Sequence, residues 1–410
     1  PIVAATSSSI YLALSKNGDT LSGIQKVNRD GSINTAYGDG GTGNADFAGA
    51  NFTTAALGPD GGVVFAGDSD SVVPSAIKGI ARLGPDGQPD PGFGAGGLMT
   101  YDPLSGWSTG YPNIAFAPDG LILTGDKSGQ FGDSSLAKVL GAGSFDPDFG
   151  QDGIEDGAAV LPPVDQMFDS LRMPGGGTVA AGRSDDQAAL VRFRADGKVD
   201  RSWGSDGWLR FRVTDSEYDT NSEYDDVIRH LGLAEDGMVL ACLDTDDGMK
   251  VARIHRDGHL DSGFGVNGIA SVPKMGRCAG IAPAPDGRII IGATKNRSDP
   301  AVIRLNYDGS VDNGYGEDGY AIGDLKLRRG RGHVAFLGFP NGSAVISTPE
   351  LATKFKVDGG RDTSFGRDGV ARVPGLPGRG RTDQPVAIAE TSGGDLVIGG
   401  YDRNSYYNLF

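Results

Sequence analysis

Cysteine, histidine and tryptophan are scarce in this chain, with two, four and three residues among 410. Four histidines leave little room for a multi-histidine metal centre. Cys242 and Cys278 both lie in apolar, strand-like runs, MVLACLD and RCAGIAP, and read as two buried thiols rather than a disulfide. Positive charge is also short: 37 Lys and Arg stand against 53 Asp and Glu, a net charge of −16. That balance argues against a general nucleic-acid or anionic-membrane binder. No apolar run approaches the roughly 18 residues that a membrane-spanning helix needs, and no segment has the pattern of a long amphipathic helix. Catalytic signatures are missing too: there is no H-E-x-x-H and no P-loop, and no G-x-S-x-G or G-x-G-x-x-G placed between a strand and a helix. No signal peptide is visible, yet the chain opens at PIVAATSSS without Met, as expected of a processed or trimmed product.

What the chain has instead is glycine, 68 residues of it, without a collagen period. That composition suits an all-β protein rich in tight turns. The glycines recur in a motif, D-x-x-aromatic-G-x-x-G. Its seven copies are INTAYGDGG, PDPGFGAGG, FDPDFGQDG, VDRSWGSDG, LDSGFGVNG, VDNGYGEDG and RDTSFGRDG. They are spaced about 50 to 60 residues apart, the period of a propeller blade. The first position is Asn34, Asp90, Asp146, Asp200, Asp261, Asp312 or Asp362. The aromatic is Tyr37, Phe93, Phe149, Trp203, Phe264, Tyr315 or Phe365.

In FDPDFGQDG the acidic residues Asp146, Asp148 and Asp152 suggest a calcium loop. The other copies argue against it. Asp148 has no counterpart, position 152 varies among Asp, Asn and Gly, and Gly150 stands where a ligand oxygen is required. Asp, Asn or Gly before Gly is instead the signature of a turn with positive φ. Eight residues before each motif Asp or Asn stands a cation within an apolar strand: Lys26, Arg82, Lys138, Arg192, Arg253, Arg304 or Lys354. Such a cation is costly unless paired, and the motif Asp of its own or the next unit is the expected partner.

Each unit reads as four strands, here called A to D. Strand A ends in a turn such as GPDG (58–61) or APDG (284–287), B is an apolar run, C carries the cation, and D follows the motif. Four-stranded antiparallel units in series predict an all-β fold, a β-propeller of 410 residues as one domain. The units fall near 1–50, 51–103, 104–160, 161–214, 215–273, 274–323, 324–374 and 375–410. That count predicts eight blades, the last with A, B and C only and Asn408 at the cation position; the alternative is seven.

The recurring D-x-x-FG-x-DG with its preceding basic strand resembles the bacterial delta-60 repeat, a propeller-type family, over nearly the whole chain. The resemblance implies an exported protein, secreted, surface-associated or periplasmic. It carries over no catalytic residue.

Function is expected where the repeats differ. In a propeller, strand A lines the central channel. The fifth residue back from each A–B turn is Thr54, Asn113, Asp169, His230, Gly280, Ala335 or Ala387. Asn113, Asp169 and His230 would be neighbours there, with Asp169 and His230 as an acid/base pair and Arg172 or Arg229 for an anion; the competing reading is a water-filled channel with ordinary polar lining.

The D–A connections, which share one rim, are the second place. GWSTGYP (106–112) offers Trp107 and Tyr111 for stacking on a sugar or apolar ligand. DSEYDTNSEYDD (215–226) carries Asp219, Asn221, Glu223 and Asp225, which could surround calcium, although Tyr224 replaces the glycine of a calcium loop; a solvated acidic loop is the alternative. LKLRRGRGH (325–333) brings Lys326, Arg328, Arg329 and Arg331, joined by Arg379 and Arg381, as a positive sector for a polyanion or acidic partner, or simply a solubilising loop. His255 and His259 in IHRDGHLD read as a surface hairpin rather than a metal site.

The expectation is therefore a binding module that recognises a protein or glycan through this rim, using Trp107, Tyr111, Arg328, Arg329 and Arg331, with no cofactor unless calcium occupies 215–226. The alternatives are a hydrolase or lyase at the channel mouth, and a structural module of a larger assembly.

Overall fold

The computed structural model describes residues 2–5, 9–15, 21–28, 32–45, 47, 52, 54–67, 79–100, 107–117, 120–127, 134–149, 154–156, 166–184, 187–196, 198–213, 227–245, 248–295, 299–323, 334–348, 351–372, 384–390 and 396–401. The chain divides into two compact units. The first comprises Pro1–Met167, Ala195–Lys198 and Ala389–Leu409; the second comprises Phe168–Arg194, Val199–Ile388 and Phe410.

In the first unit, β1 (Ile2–Ala5), β2 (Ser9–Ser15), β3 (Leu21–Asn28) and β4 (Thr42–Asn44) form one sheet. β5 (Thr54–Leu57), β6 (Val63–Gly67), β7 (Gly79–Leu83) and β8 (Leu98–Thr100) form the next. β9 (Trp107–Ala117), β10 (Gly120–Lys127), β11 (Ser134–Leu140) and β12 (Ile154–Asp156) form the third.

The second unit holds four more sheets. They are β13 (Gln166–Arg172), β14 (Thr178–Ser184), β15 (Gln187–Phe193) and β16 (Trp208–Phe211), then β17 (Val227–Leu233), β18 (Val239–Thr245), β19 (Gly248–Ile254) and β20 (Ile269–Ser271). These are followed by β21 (Met275–Pro283), β22 (Ile289–Lys295), β23 (Asp299–Leu305) and β24 (Tyr320–Ile322), and by β25 (Ala335–Gly338), β26 (Ala344–Ser347), β27 (Leu351–Phe355) and β28 (Val370–Arg372). β29 (Gln384–Glu390) and β30 (Leu396–Tyr401) pair with each other, and residues 402–410, which include Asn408, lie outside the described residues. Within each four-stranded sheet the order follows the chain, as expected for strands A to D joined by hairpins.

Strand B is buried along its whole length in β6, β18 and β26. This explains why it reads as an unbroken apolar run rather than as an alternation. In β6 and β18 its two faces are covered by the sheets before and after, so within each unit the cores lie between successive sheets. Leu240, Cys242, Phe264, Ile281, Ile291 and Ile303 form one such layer. Tyr11, Ile24, Tyr37, Phe52, Phe65 and Leu83 form another.

The repeated motif is a two-way fastener. The Oδ1 atom of each motif Asp accepts the backbone N–H two residues on, as in Gly92 to Asp90 (2.9 Å), Gly263 to Asp261 (3.0 Å) and Gly314 to Asp312 (3.0 Å). Its Oδ2 takes the strand-C cation of the same sheet: Lys138–Asp146 at 2.8 Å, Arg253–Asp261 at 2.6 Å and Arg304–Asp312 at 2.7 Å. The Lys138 hydrogen bond holds the Asp146 carboxyl below its usual range. Asp146 therefore has a cation for a partner, as the fold reading of FDPDFGQDG expects. In the first repeat, where Asn34 replaces Asp, Lys26 lies instead over the rings of Tyr11 and Tyr37, at 5.1 and 5.3 Å.

The glycine after the motif aromatic reaches the next sheet. Gly94 donates to the Ala142 carbonyl (2.8 Å), Gly204 to Asp257 (2.6 Å), Gly265 to Asp308 (2.7 Å) and Gly316 to Asp358 (2.8 Å). The arginines reach the same turns, with Arg192 donating to the Arg256 carbonyl at 3.0 Å, Arg253 to Tyr307 and Arg304 to Val357. Trp203 packs against Gly258 in one of these turns. A Cβ there would lie 2.3 Å from the Gly204 nitrogen and 2.6 Å from the Trp203 ring, and Gly258 has φ +90°. Only glycine fits such a position.

The cysteines correct one expectation. Cys242 and Cys278 are a disulfide with a Cα–Cα separation of 6.4 Å, not two thiols. The apolar surroundings are as read, but Cys242 on β18 and Cys278 on β21 belong to adjacent sheets whose facing layers bring the two sulfurs together.

Candidate functional site

Antiparallel order places the D–A connections at the end of each sheet where strand A begins, and the A–B turns at the other end. In the second unit the third residues of three successive A strands are Phe168 on β13, Arg229 on β17 and Arg277 on β21. All three stand at the D–A end and reach solvent: Phe168 is 38% exposed, and the side chains of Arg229 and Arg277 are 26% and 50% exposed. The Arg229 guanidinium lies 5.1 Å from the centre of the Phe168 ring.

Irregularities in pairing place the arginines. The β17–β18 register shifts between Ile228 and His230, and the β21–β22 register shifts between Met275 and Cys278. Arg229 and Arg277 each fall in such a shift. Bulges turn side chains out of the normal alternation. Asp244, near the end of β18, is buried and accepts from Arg229 Nε (3.1 Å) and from the Cys278 backbone N–H (3.0 Å), with Arg277 Nε at 4.0 Å.

Asp169 and His230, at equivalent positions of successive A strands, lie close enough to influence each other's charge. Asp169 Oδ2 accepts the Leu231 N–H at 2.8 Å, and Oδ1 accepts the Ser170 N–H at 2.8 Å. Burial raises the Asp169 pKa, opposed by the hydrogen bonds from Leu231 and Ser170 and by His230. Burial lowers that of His230, opposed by Asp169 and Asp244 and reinforced by Arg229. Asp169 thus ties β13 to β17 through the backbone, while burial disfavours protonation of His230. Arg172 sits at the far end of β13, half-buried.

Other expected residues are less fully placed. Trp107, Tyr111 and Asn113 belong to β9, and their side chains lie outside the described ones. GWSTGYP is therefore strand from Trp107 onward rather than loop, because Trp107 and Ser108 pair with Lys127 and Asp126. Arg328, Arg329, Arg331, Arg379, Arg381 and the 215–226 loop lie outside the described residues. His255 and His259 close a hairpin, His255 N–H to the His259 carbonyl at 2.8 Å, and their rings lie 3.3 Å from Asp261 and Asp257. Among the described residues no group of three or more His, Cys, Asp or Glu is placed to hold a metal. A concavity of about 280 Å³ in the first unit is lined by Asp39, Thr42, Asn44, Phe47 and the Gly87–Pro89 turn.

Sequence reasoning named Arg229 but missed Phe168, Arg277 and Asp244. An aromatic or arginine third in an A strand was the available signal.

The family described as DUF5122, a β-propeller domain of unknown function, matches residues 58–93 and 284–315. The matched segments are two copies of the same unit, each running from an A–B turn to the motif aromatic. With the sheets above, the fold class is all-β, a β-propeller of four-stranded antiparallel blades. No curated protein matches this sequence. Among solved structures, a protein of unknown function from Bacteroides caccae shares 12% identity over 53% of this chain and 66% of its own, with a TM-score of 0.31. A protein from Lactobacillus plantarum shares 12% identity over 90% of this chain and 95% of its own, with a TM-score of 0.47. Puromycin hydrolase shares 12% identity over 97% of this chain, with a TM-score of 0.48, and the chain spans 57% of that enzyme's length. Likeness at this level is no argument about activity.

Proposed function

We propose that the chain is a binding propeller of the exported bacterial kind that the delta-60 resemblance implies, engaging a protein or glycan partner through the D–A rim. All 410 residues are read as one propeller of eight blades, the last without its outer strand. The observation that carries the reading is the exposed row of Phe168, Arg229 and Arg277 at that end of three successive blades. Exposed aromatic and arginine side chains are what binding surfaces concentrate. Trp107, Tyr111, Arg328, Arg329 and Arg331 extend the surface in this proposal, and calcium at 215–226 is an optional component. The Cys242–Cys278 disulfide supports export, because such bonds persist in oxidising compartments.

The test is a glycan array and a pull-down from the native envelope, each with and without calcium. Trp107→Ala and the triple variant Arg328→Ala, Arg329→Ala, Arg331→Ala are expected to lose the partner. Lys356→Ala, on a C–D turn at the other end, is expected to keep it. Equal capture by all of them overturns the rim.

A second reading, a hydrolase or lyase, is favoured by one observation: burial moves the Asp169 and His230 pKa values toward each other. Glycan or peptide turnover that disappears in His230→Ala would replace the binding reading.

A further inference from the structure

Neighbouring strands run antiparallel, so the C–D turns and the motif turns share the A–B end of each sheet, opposite the D–A rim. On the sheets β17–β20, β21–β24 and β25–β28 every residue of these turns is described. Large apolar side chains stand exposed on them: Val266 at 76%, Tyr307 at 51% and Val357 at 49%. The fold does not require them. Equivalent turns hold Ala195 or Arg256 where Tyr307 and Val357 stand, and Ser205 or Arg367 where Val266 stands. A single exposed apolar residue is ordinary, but a recurrence on successive sheets at one end makes a surface.

Val266 and Tyr307 flank one junction between sheets, where Gly265 N–H donates to the Asp308 carbonyl at 2.7 Å. Tyr307 is held in place before any partner arrives. Arg253 donates to its carbonyl and lies 4.1 Å from its ring centre, and a Cβ on Gly287 would lie 2.5 Å from the ring. An aromatic fixed in this way loses little freedom on binding. Val357 sits at the next junction, where Gly316 N–H donates to the Asp358 carbonyl at 2.8 Å and Glu317 follows.

Charge decides what this surface can take. On the sheet of Tyr307, the turns bring Asp286, Asp308, Glu317 and Asp318 against one cation, Arg288, which is bonded to Asp286 at 2.7 Å. The β17–β18 turn adds Glu235 and Asp236. Arg256 and Asp257 balance on the turn after β19, and Lys356, Arg361 and Arg367 face Asp358 and Asp368 on the turns after β27. The acidic excess is therefore centred on the sheet of Tyr307. Hydrogen bonds from Ser310 hold the Asp308 carboxyl below its usual range, so it stays ionised at neutral pH. Such a surface repels polyanions and attracts cations.

We propose that this end of the second unit is a further interaction surface, on which an extended, basic segment of a partner protein docks. An apolar side chain of the segment rests on Val266 and Tyr307, and its Lys or Arg side chains face Asp308, Glu317 and Asp318. The proposal is independent of the D–A rim.

The experiment is a calorimetric titration of the intact, oxidised chain with acetylated hexapeptide amides of alternating Lys and Leu, of alternating Glu and Leu, and of alternating Lys and Ser. The Lys–Leu peptide is expected to bind about tenfold or more tighter than either of the others, and added salt to weaken it. Tyr307→Ala, and separately Glu317→Arg with Asp318→Asn, are each expected to weaken it about tenfold. Ala195, Arg367 and Asn267 occupy the equivalent positions of other repeats, so these turns keep their fold. Ile33→Ala removes an exposed apolar side chain of the first unit and is expected to leave binding unchanged. Equal binding of the three peptides, wild-type affinity in either variant, or an equal loss in Ile33→Ala overturns the surface. Self-association in sedimentation that Tyr307→Ala abolishes, without peptide binding, gives the surface to a second copy of the chain and also overturns the proposal.

Discussion

Asp261→Ala is the sharpest test of the fastener. Arg253 is 2% exposed and Asp261 7% exposed. Arg253 is bonded to Asp261 Oδ2 at 2.6 Å, donates to the Tyr307 carbonyl of the next sheet, and lies between the Phe264 and Tyr307 rings at 4.7 and 4.1 Å. Removing the carboxylate strands a buried cation, which costs about 3 to 5 kcal/mol. The lost Gly263 hydrogen bond adds about 1 kcal/mol, while the aromatic faces and the Tyr307 carbonyl still cushion the charge. The expected loss is about 4 kcal/mol. Were the 410 residues to melt as one unit, an unfolding entropy of about 2.1 cal/mol/K per residue gives about 0.9 kcal/mol/K, and the melting temperature falls by about 5 °C. A smaller cooperative unit, as nearest-neighbour repeat stability allows, gives a larger fall.

Two variants calibrate this result. Asp362→Ala removes the looser Lys354 pair, 3.7 Å apart with side chains 25% and 20% exposed, and is expected to cost about 1 to 2 kcal/mol. Arg253→Met with Asp261→Ala removes both charges and is expected to be milder than Asp261→Ala alone. Differential scanning calorimetry and urea titration read all three. If Asp261→Ala is no worse than Asp362→Ala, or the double variant is worse than Asp261→Ala alone, the buried-pair argument is wrong.

Two further outcomes are expected. Cys242→Ala with Cys278→Ala opens a covalent link spanning 36 residues and should lower stability by about 4 kcal/mol, while the wild type unfolded without reductant should show no free thiol. His230 has a folded pKa below its unfolded value of about 6.5, so the unfolded chain binds more protons on acidification. Its contribution is full above that pH and is lost as pH falls below it. Asp169, shifted upward, works in the opposite sense below its folded value. The urea midpoint should therefore drop as the pH falls below about 6.5 in the wild type and flatten in His230→Asn, and an unchanged slope in that variant would remove His230 as the cause.

The parts of this protein that could be read from the chain are those whose partners are close in sequence. The motif Asp and its cation are eight residues apart across one hairpin, so their recurrence predicted the ion pair that Asp146 and Lys138 make. The positive φ of Asp206, Asn267, Asp318 and Asp368 was legible because the turn itself imposes it. Four strands per unit followed from turn spacing. Tertiary structure alone decided what crosses from one sheet to the next. The reach of Arg253 to Tyr307, the packing of Trp203 on Gly258 and the pairing of Cys242 with Cys278 join residues 36 to 55 positions apart in different repeats. Nothing in the local pattern marks those partners, because a blade's two faces carry similar residues whichever neighbour they meet. The rim cluster belongs with them: Phe168, Arg229, Asp244 and Arg277 come from three blades, and two bulges aim the arginines. Hydrophobic alternation specifies which strands form, but only the packed sheets specify which exceptions to it end up side by side.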